Sequence, residues 1–206
     1  MKQIIYILGA STLLSILPAC SDFLEANPYG TVTPDTFYET EQDAIMAGTS
    51  CYKMMSNPTD FWAPGLDAVG NIQSDDIFPF LGWTGLLPTY QFDENHETVK
   101  GVWNAAYKGI SRCNTCIDNV SPMEIQEKIK NEVLGQARFI RAYWYFRLVR
   151  LYGGVPLVLK EYTSLENLYP ERASVEEVYK QIIADLTFAA DNLPTQWSSA
   201  EAGRVT

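Results

Sequence analysis

The stretch QARFIRAYWYFRLVRLYGGVPLV, residues 136–158, constrains the fold more than any other part of the chain. Its apolar residues recur at intervals of three and four, which places them on one face of a helix. That face consists of Ala137, Ile140, Trp144, Leu148 and Leu151. A second face consists of Tyr143, Phe146 and Val149, so the helix is predicted to be buried over most of its circumference. The glycine pair at 153–154 favours a left-handed helix stop, and Pro156 prevents continuation.

Two further helices are predicted before this central helix. The first extends from Glu41 to Met55, and the second from about Glu97 to Val120. The packed face of the first consists of Ala44, Ala47, Gly48, Cys51, Tyr52 and Met55. The second carries Val102, Trp103, Ala106, Tyr107, Ile110, Asn114 and Ile117 at helical spacing. The string SPME at 121–124 has the form of a capping box with proline at the first helical position. It predicts that the central helix begins at Pro122 and ends near Leu151.

A fourth helix is predicted after the central one. Ser174 and Glu177 form another capping box, and Pro194 ends the segment. Its inward residues are expected to be Val178, Ile182, Leu186, Ala189 and Leu193. Because Arg141 lies on the most buried helix, its guanidinium needs a carboxylate partner, and Asp185 is the expected one. We interpret this pair as structural, with substrate binding by Arg141 as the alternative.

Residues 1–19 have the form of a targeting segment, which is excluded from the fold. Lys2 supplies a basic start, and the apolar run from Ile4 to Leu17 is too short to span a bilayer as a stable helix. The string LPAC at 17–20 resembles a bacterial lipobox, which implies cleavage before Cys20 and lipidation of that residue. Cleavage by an ordinary signal peptidase is the alternative. Two or more acyl chains would anchor the mature protein stably, and we expect the anchor to lie in an outer membrane.

Residues 56–95 are predicted to form a long irregular segment, because prolines and glycines interrupt every periodic pattern. The aromatic content of this segment is too high for disorder. Sugar rings stack on rigid aromatic side chains that have a few polar groups nearby. The candidate ligand-binding residues are Trp83, Trp62, Tyr90 and Asn71. For each of them, packing over the helices as a satellite core is the alternative.

Several of these stretches together resemble the SusD/RagB family, the surface lipoproteins that serve nutrient uptake in Bacteroidetes. The similarity is carried by residues 23–37, 103–117, 137–158 and 172–194. The resemblance implies an all-α fold of tetratricopeptide-like helical pairs with long irregular loops, following the signal peptide. It also implies that residues 20–206 form the N-terminal domain of a longer family architecture.

The resemblance further implies a function. Members of the family bind glycans or oligopeptides and pass them to a TonB-dependent, SusC-like transporter in the outer membrane. A membrane-anchored helical scaffold without a ligand of its own is the alternative, and a surface glycoside hydrolase is a remote one. The formal net charge of −10 disfavours nucleic acid as a partner, since phosphate binding needs clustered basic residues.

Catalytic and metal chemistry find little support in the sequence. Cys113 and Cys116 form a C-x-x-C string, which is compatible with a redox pair or with half of a zinc site completed by Cys51 and His96. A packed helix face is the favoured interpretation, because no second such string accompanies it. A single histidine leaves little room for a nucleophile and base arrangement. We therefore predict no enzyme activity, no metal and no cofactor.

Overall fold

The computed structural model describes residues 37–56, 89–162, 164 and 169–206. Their helices are α1 (Glu41–Cys51), α2 (Lys53–Ser56), α3 (Glu97–Val120), α4 (Glu127–Tyr152) and α5 (Val175–Asn192), followed by a short 3-10 helix at Ser199–Glu201. Within these ranges the only extended pairing is an isolated antiparallel bridge between Pro156 and Arg172. Of the helices in the described part, none has the length and apolarity required to cross a membrane. The fold class is all-α, as the sequence predicted.

Helix α4 is central, and α3 runs antiparallel beside it. Near the middle of the pair, a Cβ atom at Gly109 of α3 would overlap the indole of Trp144. Toward one end, the ring of Trp103 meets the ring of Tyr152 edge-on, with centroids 5.1 Å apart. Because Gly109 has no side chain, the indole lies directly against the α3 backbone, and Trp144 is completely buried.

Helix α5 packs antiparallel against another part of the α4 surface. Near the start of α4, Leu193 Cγ lies 3.0 Å from the position that a Cβ of Gly135 would occupy. Near its end, the rings of Phe146 and Tyr179 meet with centroids 6.4 Å apart. The α3–α4 and α4–α5 pairs therefore give the tetratricopeptide-like arrangement of consecutive antiparallel helices.

Helix α1 runs parallel to the first half of α4. The Glu41 carboxylate accepts a hydrogen bond from the Gln126 backbone N–H at 3.1 Å. At the other end of α1, the Tyr52 hydroxyl donates to Gln136 Oε1 at 3.0 Å. Gly48 lies between these contacts, and a Cβ there would be 3.1 Å from Val133. Small residues on α1 thus allow a close approach to α4.

The predicted start of α4 at Pro122 is wrong. Ser121 keeps helical dihedral angles, φ −54° and ψ −42°, and its N–H donates to Ile117 O at 3.1 Å. Its hydroxyl also donates to Ile117 O at 2.5 Å, so Ser121 ends α3 instead of capping α4. The first residue of α4 is Glu127, and the preceding Gln126 makes no side-chain cap. The carboxylate of Glu41, far away in sequence, satisfies the Gln126 N–H instead.

The predicted end of α4 is confirmed, because a glycine follows the last helical residue, Tyr152. The helix stops at Gly153, which has a positive φ of 71° that favours glycine. At Gly154 a side chain would collide with the carbonyl oxygen of Ala173. The Arg172 guanidinium then donates to Gly154 O and Tyr152 O, both at 2.7 Å, and so satisfies carbonyls at the helix end.

Some predicted core positions are exposed. Met55 is 40% exposed while Met54 is 1% exposed, because α1 ends at Cys51 and the chain changes register at Tyr52 before α2.

Three predicted core residues of α4 and α5 are each 39% exposed, namely Phe146, Leu151 and Leu186. The Phe146 and Tyr179 rings meet edge-on, and Leu186 lies on a partly exposed side of α5. The α5 capping box is confirmed, since Ser174 Oγ accepts from Glu177 N–H at 3.2 Å.

Candidate functional site

A buried polar network lies at the centre of the helices. Arg141 Nε and Nη2 donate to the two carboxylate oxygens of Asp185, each at 2.8 Å. Arg141 Nη1 donates to Asn114 Oδ1 at 2.8 Å. Burial alone would lower the pKa of Arg141, but the hydrogen bonds and charge of Asp185 outweigh burial and raise it. The structure therefore confirms the expected ion pair and adds Asn114 as its third member.

The same network fixes the irregular segment 155–161, which follows α4. Asn114 Nδ2 donates to Val158 O at 2.8 Å. The Tyr145 hydroxyl donates to Val158 O at 2.8 Å and accepts from Val158 N–H at 2.7 Å. The Tyr107 hydroxyl donates to Pro156 O at 2.8 Å. Side chains of α3 and α4 thus supply the hydrogen bonds that a sheet would otherwise supply, and the segment becomes a fixed wall beside α3.

An apolar groove of about 360 Å³ lies between α3 and this wall. Its lining comprises Trp103, Tyr107, Ile110, Ser111, Pro156, Val158, Lys160, Tyr162, Tyr169 and Pro170. We call it the aromatic groove. The rings of Trp103 and Tyr107 are tilted by 47° with centroids 4.9 Å apart, and Tyr152 supports Trp103 from the side. At the rim, Tyr162 is 45% and Tyr169 is 95% exposed.

A second depression of about 710 Å³ adjoins the aromatic groove. It shares Trp103, Tyr107 and Ser111 with the aromatic groove, and Lys108 and Arg112 add positive charge to its lining. The two depressions therefore meet along one face of α3. Held aromatic rings with hydroxyl and ammonium groups nearby suit a ligand that has a flat apolar face and many hydroxyl groups.

Most of the sequence-predicted site residues lie outside the described residues, namely Cys20, Trp62, Asn71 and Trp83. Tyr90 is described. It is 66% exposed, has a positive φ of 55°, and does not line the aromatic groove.

The sequence does not predict the aromatic groove, because helical spacing places Trp103 and Tyr107 on a packed helix face. Both rings are half-buried, with one side in the core and the other in the groove. The four-residue spacing of Trp103 and Tyr107 is a signal for the groove, because it places two aromatic rings one turn apart on one side of α3.

The disfavoured alternative, a zinc site that joins His96 to the cysteines, does not fit the structure. His96 precedes α3, and its Nδ1 accepts a hydrogen bond from Thr98 N–H at 3.3 Å, which caps the helix. Cys113 lies on the same helix, about 25 Å away along its axis at 1.5 Å per residue. A zinc ion cannot be shared over that distance. Among the described residues, no cluster of three or more His, Cys, Asp or Glu side chains has the arrangement of a metal site.

These features are those of an all-α protein of tetratricopeptide-like helical pairs with an aromatic groove on its surface. The SusD-like family model described as "Starch-binding associating with outer membrane" matches residues 80–206. A SusD-like protein, P2 of Formosa agariphila, is 32% identical over 203 residues, which cover 94% of this chain and 39% of that protein. The chain belongs to the SusD-like family.

Solved structures agree with this assignment. A SusD-like protein from Bacteroides fragilis superposes with a TM-score of 0.68 at 26% identity, covering 84% of this chain and 34% of that one. A laminarin-binding SusD-like protein reaches a TM-score of 0.70 over 82% of this chain and 38% of its own, at 20% identity, which supports the fold alone. The chain thus spans about two fifths or less of the length of these relatives.

Proposed function

We propose that this chain belongs to a surface lipoprotein that binds glycans and passes them to a TonB-dependent, SusC-like transporter. The family is starch-binding and associated with the outer membrane by its own description. Starch is a neutral glycan, so the family description supports a neutral glycan as the ligand. The formal charge of −10 is compatible with a neutral ligand and unfavourable for a polyanionic one.

The aromatic groove is the observation that carries the proposal. Its rings are held before any ligand arrives, because Tyr107 is hydrogen-bonded to Pro156 O and Trp103 rests edge-on against Tyr152. Preorganised rings lose little rotamer freedom on binding, so stacking contributes more of its gross energy to affinity. Tyr169 at the rim is almost fully exposed and available to a sugar ring.

The decisive experiment is a binding titration of the full chain made soluble by Cys20→Ala. The ligands are oligosaccharides of starch, laminarin and xyloglucan, with oligopeptides as a separate arm. We expect Trp103→Ala and Tyr169→Ala to weaken glycan binding by about tenfold to a hundredfold, since a lost stacking ring removes roughly 1 to 3 kcal/mol. Trp197→Ala is the matched control, because Trp197 is also half-buried but does not line the groove.

Melting curves must show that each variant is folded. If folded Trp103→Ala and Tyr169→Ala bind as tightly as the parent, the aromatic groove is not a ligand site. The loop candidates Trp83 and Trp62 are then tested in the same way, with Tyr90 and Asn71 after them. A folded parent protein that binds none of the ligands supports the alternative function, a membrane-anchored scaffold without its own ligand.

The membrane anchor is tested separately. We expect the wild-type protein in the outer-membrane fraction, lipidated on Cys20 and accessible to antibody on intact cells. Cys20→Ala should move it to the soluble fraction, whereas Cys51→Ala should not, since Cys51 is completely buried in the fold. A Cys20→Ala protein that stays in the membrane refutes the lipobox interpretation. Co-purification of a TonB-dependent transporter with the detergent-extracted wild type tests the proposed partner.

A further inference from the structure

Three cysteines meet in the core between α1 and α3. Cys51 is the last residue of α1, while Cys113 and Cys116 lie one turn apart on α3. All three are free thiols, and none is more than 1% exposed. Cys51 Sγ lies 3.6 Å from Ala47 O on its own helix and 3.9 Å from Arg112 O on α3. Its sulfur therefore lies against the turn of α3 that carries the other two thiols.

Packing of small residues brings the sulfurs together. Ala44, Ala47 and Gly48 are buried on the same side of α1 as Cys51, so the helix approaches its neighbours closely. Cys113 follows Arg112 directly and Cys116 lies one turn further along α3, so both thiols are neighbours of Cys51 Sγ. Interaction with these two thiols holds the pKa of Cys51 well below its usual range, against the effect of burial. Burial raises the pKa of Cys113, and interaction with Cys51 raises the pKa of Cys116.

We propose that Cys51 is the shared partner of a disulfide that cross-links α1 to α3, with Cys113 or Cys116 as the second sulfur. A bond between Cys113 and Cys116 is disfavoured in the folded chain, because a disulfide within one helical turn is strained. Since the three thiols are buried, the bond forms as the chain folds, before the core excludes the oxidant.

The oxidant is a disulfide of the exported compartment, either a small-molecule one such as oxidised glutathione or that of a thiol oxidoreductase. The Cys51 thiolate attacks one sulfur of that disulfide, which forms a mixed disulfide and releases one thiolate. The thiol of Cys113 or Cys116 then loses its proton and attacks Cys51 Sγ, which releases the second thiolate. Two cysteine thiols are oxidised to one disulfide, and the oxidant is reduced to two thiols. The third cysteine stays reduced.

The test uses the full chain with Cys20→Ala, which leaves the three core cysteines. The protein is reduced and unfolded in guanidinium and refolded in a mixture of oxidised and reduced glutathione. It is then unfolded again in guanidinium that contains N-ethylmaleimide, so that buried free thiols are also labelled. Intact mass counts the free thiols, and peptide mapping identifies the linked pair. We expect one maleimide adduct on the refolded protein, and a linked peptide that always contains Cys51.

Single cysteine variants test whether Cys51 is the shared partner. Cys51→Ala should carry two adducts and no disulfide, whereas Cys113→Ala and Cys116→Ala should each carry none, because Cys51 pairs with the cysteine that remains. The control is the same oxidation held in guanidinium. There the short Cys113–Cys116 loop is expected to dominate, since closing a short loop costs less entropy.

Two outcomes of the mass and peptide-mapping experiments overturn the proposal. One is a refolded, helical protein with three adducts, and the other is a Cys113–Cys116 disulfide in folded wild type or folded Cys51→Ala. If Cys51→Ala does not refold, Cys51→Ser is used, and far-UV circular dichroism confirms its helices. A melting temperature that rises by roughly 5 to 10 °C on oxidation is expected, because the bond closes a long loop in the unfolded chain. An oxidised protein that melts no higher than the reduced one refutes the native cross-link.

Discussion

Removing the carboxylate of Asp185 should cost more stability than most single substitutions in this chain. In Asp185→Ala the Arg141 guanidinium keeps its hydrogen bond to Asn114 but loses both bonds to the carboxylate, each 2.8 Å long. Arg141 is 4% exposed, so water cannot replace the lost partner without opening the core. Two charge-assisted hydrogen bonds at roughly 1.5 to 3 kcal/mol each agree with the 3 to 5 kcal/mol typical of a broken buried pair. We expect Asp185→Ala to lower the free energy of unfolding by about 3 to 5 kcal/mol.

Urea unfolding of the soluble Cys20→Ala protein, followed by far-UV circular dichroism, measures this loss. The matched control is Lys160→Ala, which removes an ion pair to Asp118 of 2.7 Å. That pair is shorter than the buried one, yet the lysine side chain is 82% exposed, so its loss should cost less than about 1 kcal/mol. Burial and not distance decides the difference. If Asp185→Ala costs no more than Lys160→Ala, the buried pair does not contribute as argued.

A double variant separates the charge from the contact. Arg141→Met with Asp185→Leu removes both charges and keeps similar volume, so it should be more stable than Asp185→Ala alone. The Asn114 side chain then loses a donor but keeps its bond to Val158 O. A double variant as unstable as Asp185→Ala would show that the hydrogen-bond network, and not an uncompensated charge, determines the loss.

Three further predictions follow from the packing and titration of the core. Trp144→Ala should lose about 3 to 5 kcal/mol in urea unfolding, since the indole is completely buried, and unchanged stability would show that it is not. Gly109→Ala should destabilise by about 1 to 3 kcal/mol because a Cβ overlaps that indole, whereas Gly101→Ala, with open space around it, should gain up to about 1 kcal/mol. Burial raises the pKa of Tyr152 from 10.0 to about 12, so the folded state favours the neutral phenol. The contribution of Tyr152 to the free energy of unfolding should be complete below pH 10 and should fall as the pH rises toward 12. Tyrosinate absorbance measures the ionisation, and Tyr152→Phe should give a flatter dependence of stability on pH.

Features that depend on nearby residues were predictable from the sequence. Both ends of α3, Glu97 and Val120, coincide with the predicted ones, because hydrophobic periodicity and neighbouring turn residues define them. The α5 capping box and the glycine stop at Gly153 are likewise local. The partnership of Arg141 with Asp185 is a long-range contact, but a buried guanidinium has so few acceptable partners that the sequence still indicated it.

Features that depend on distant residues were not predictable. The start of α4 is set by the Glu41 carboxylate on α1, and nothing near Gln126 in the sequence reveals that contact. The aromatic groove depends on where segment 155–161 lies, which is decided by hydrogen bonds from α3 and α4. The apolar, irregular segment at 155–161 carries no sequence signal for its position, so helical spacing alone places the half-buried rings of α3 in the core.

The polar residues inside the helices and the shape of the groove have a common cause. Asn114 accepts from Arg141 with its oxygen and donates to Val158 O and Lys160 O with its nitrogen. A buried polar network is costly unless every member is satisfied, and here the irregular segment supplies the missing acceptors. The segment in turn has backbone groups that pair with no strand beyond the single bridge among described residues, so it needs side chains to hold it. The side chains of α3 and α4 and the backbone of segment 155–161 thus supply each other's hydrogen-bond partners. This explains why an apolar helix face contains an asparagine and why the groove beside it is rigid.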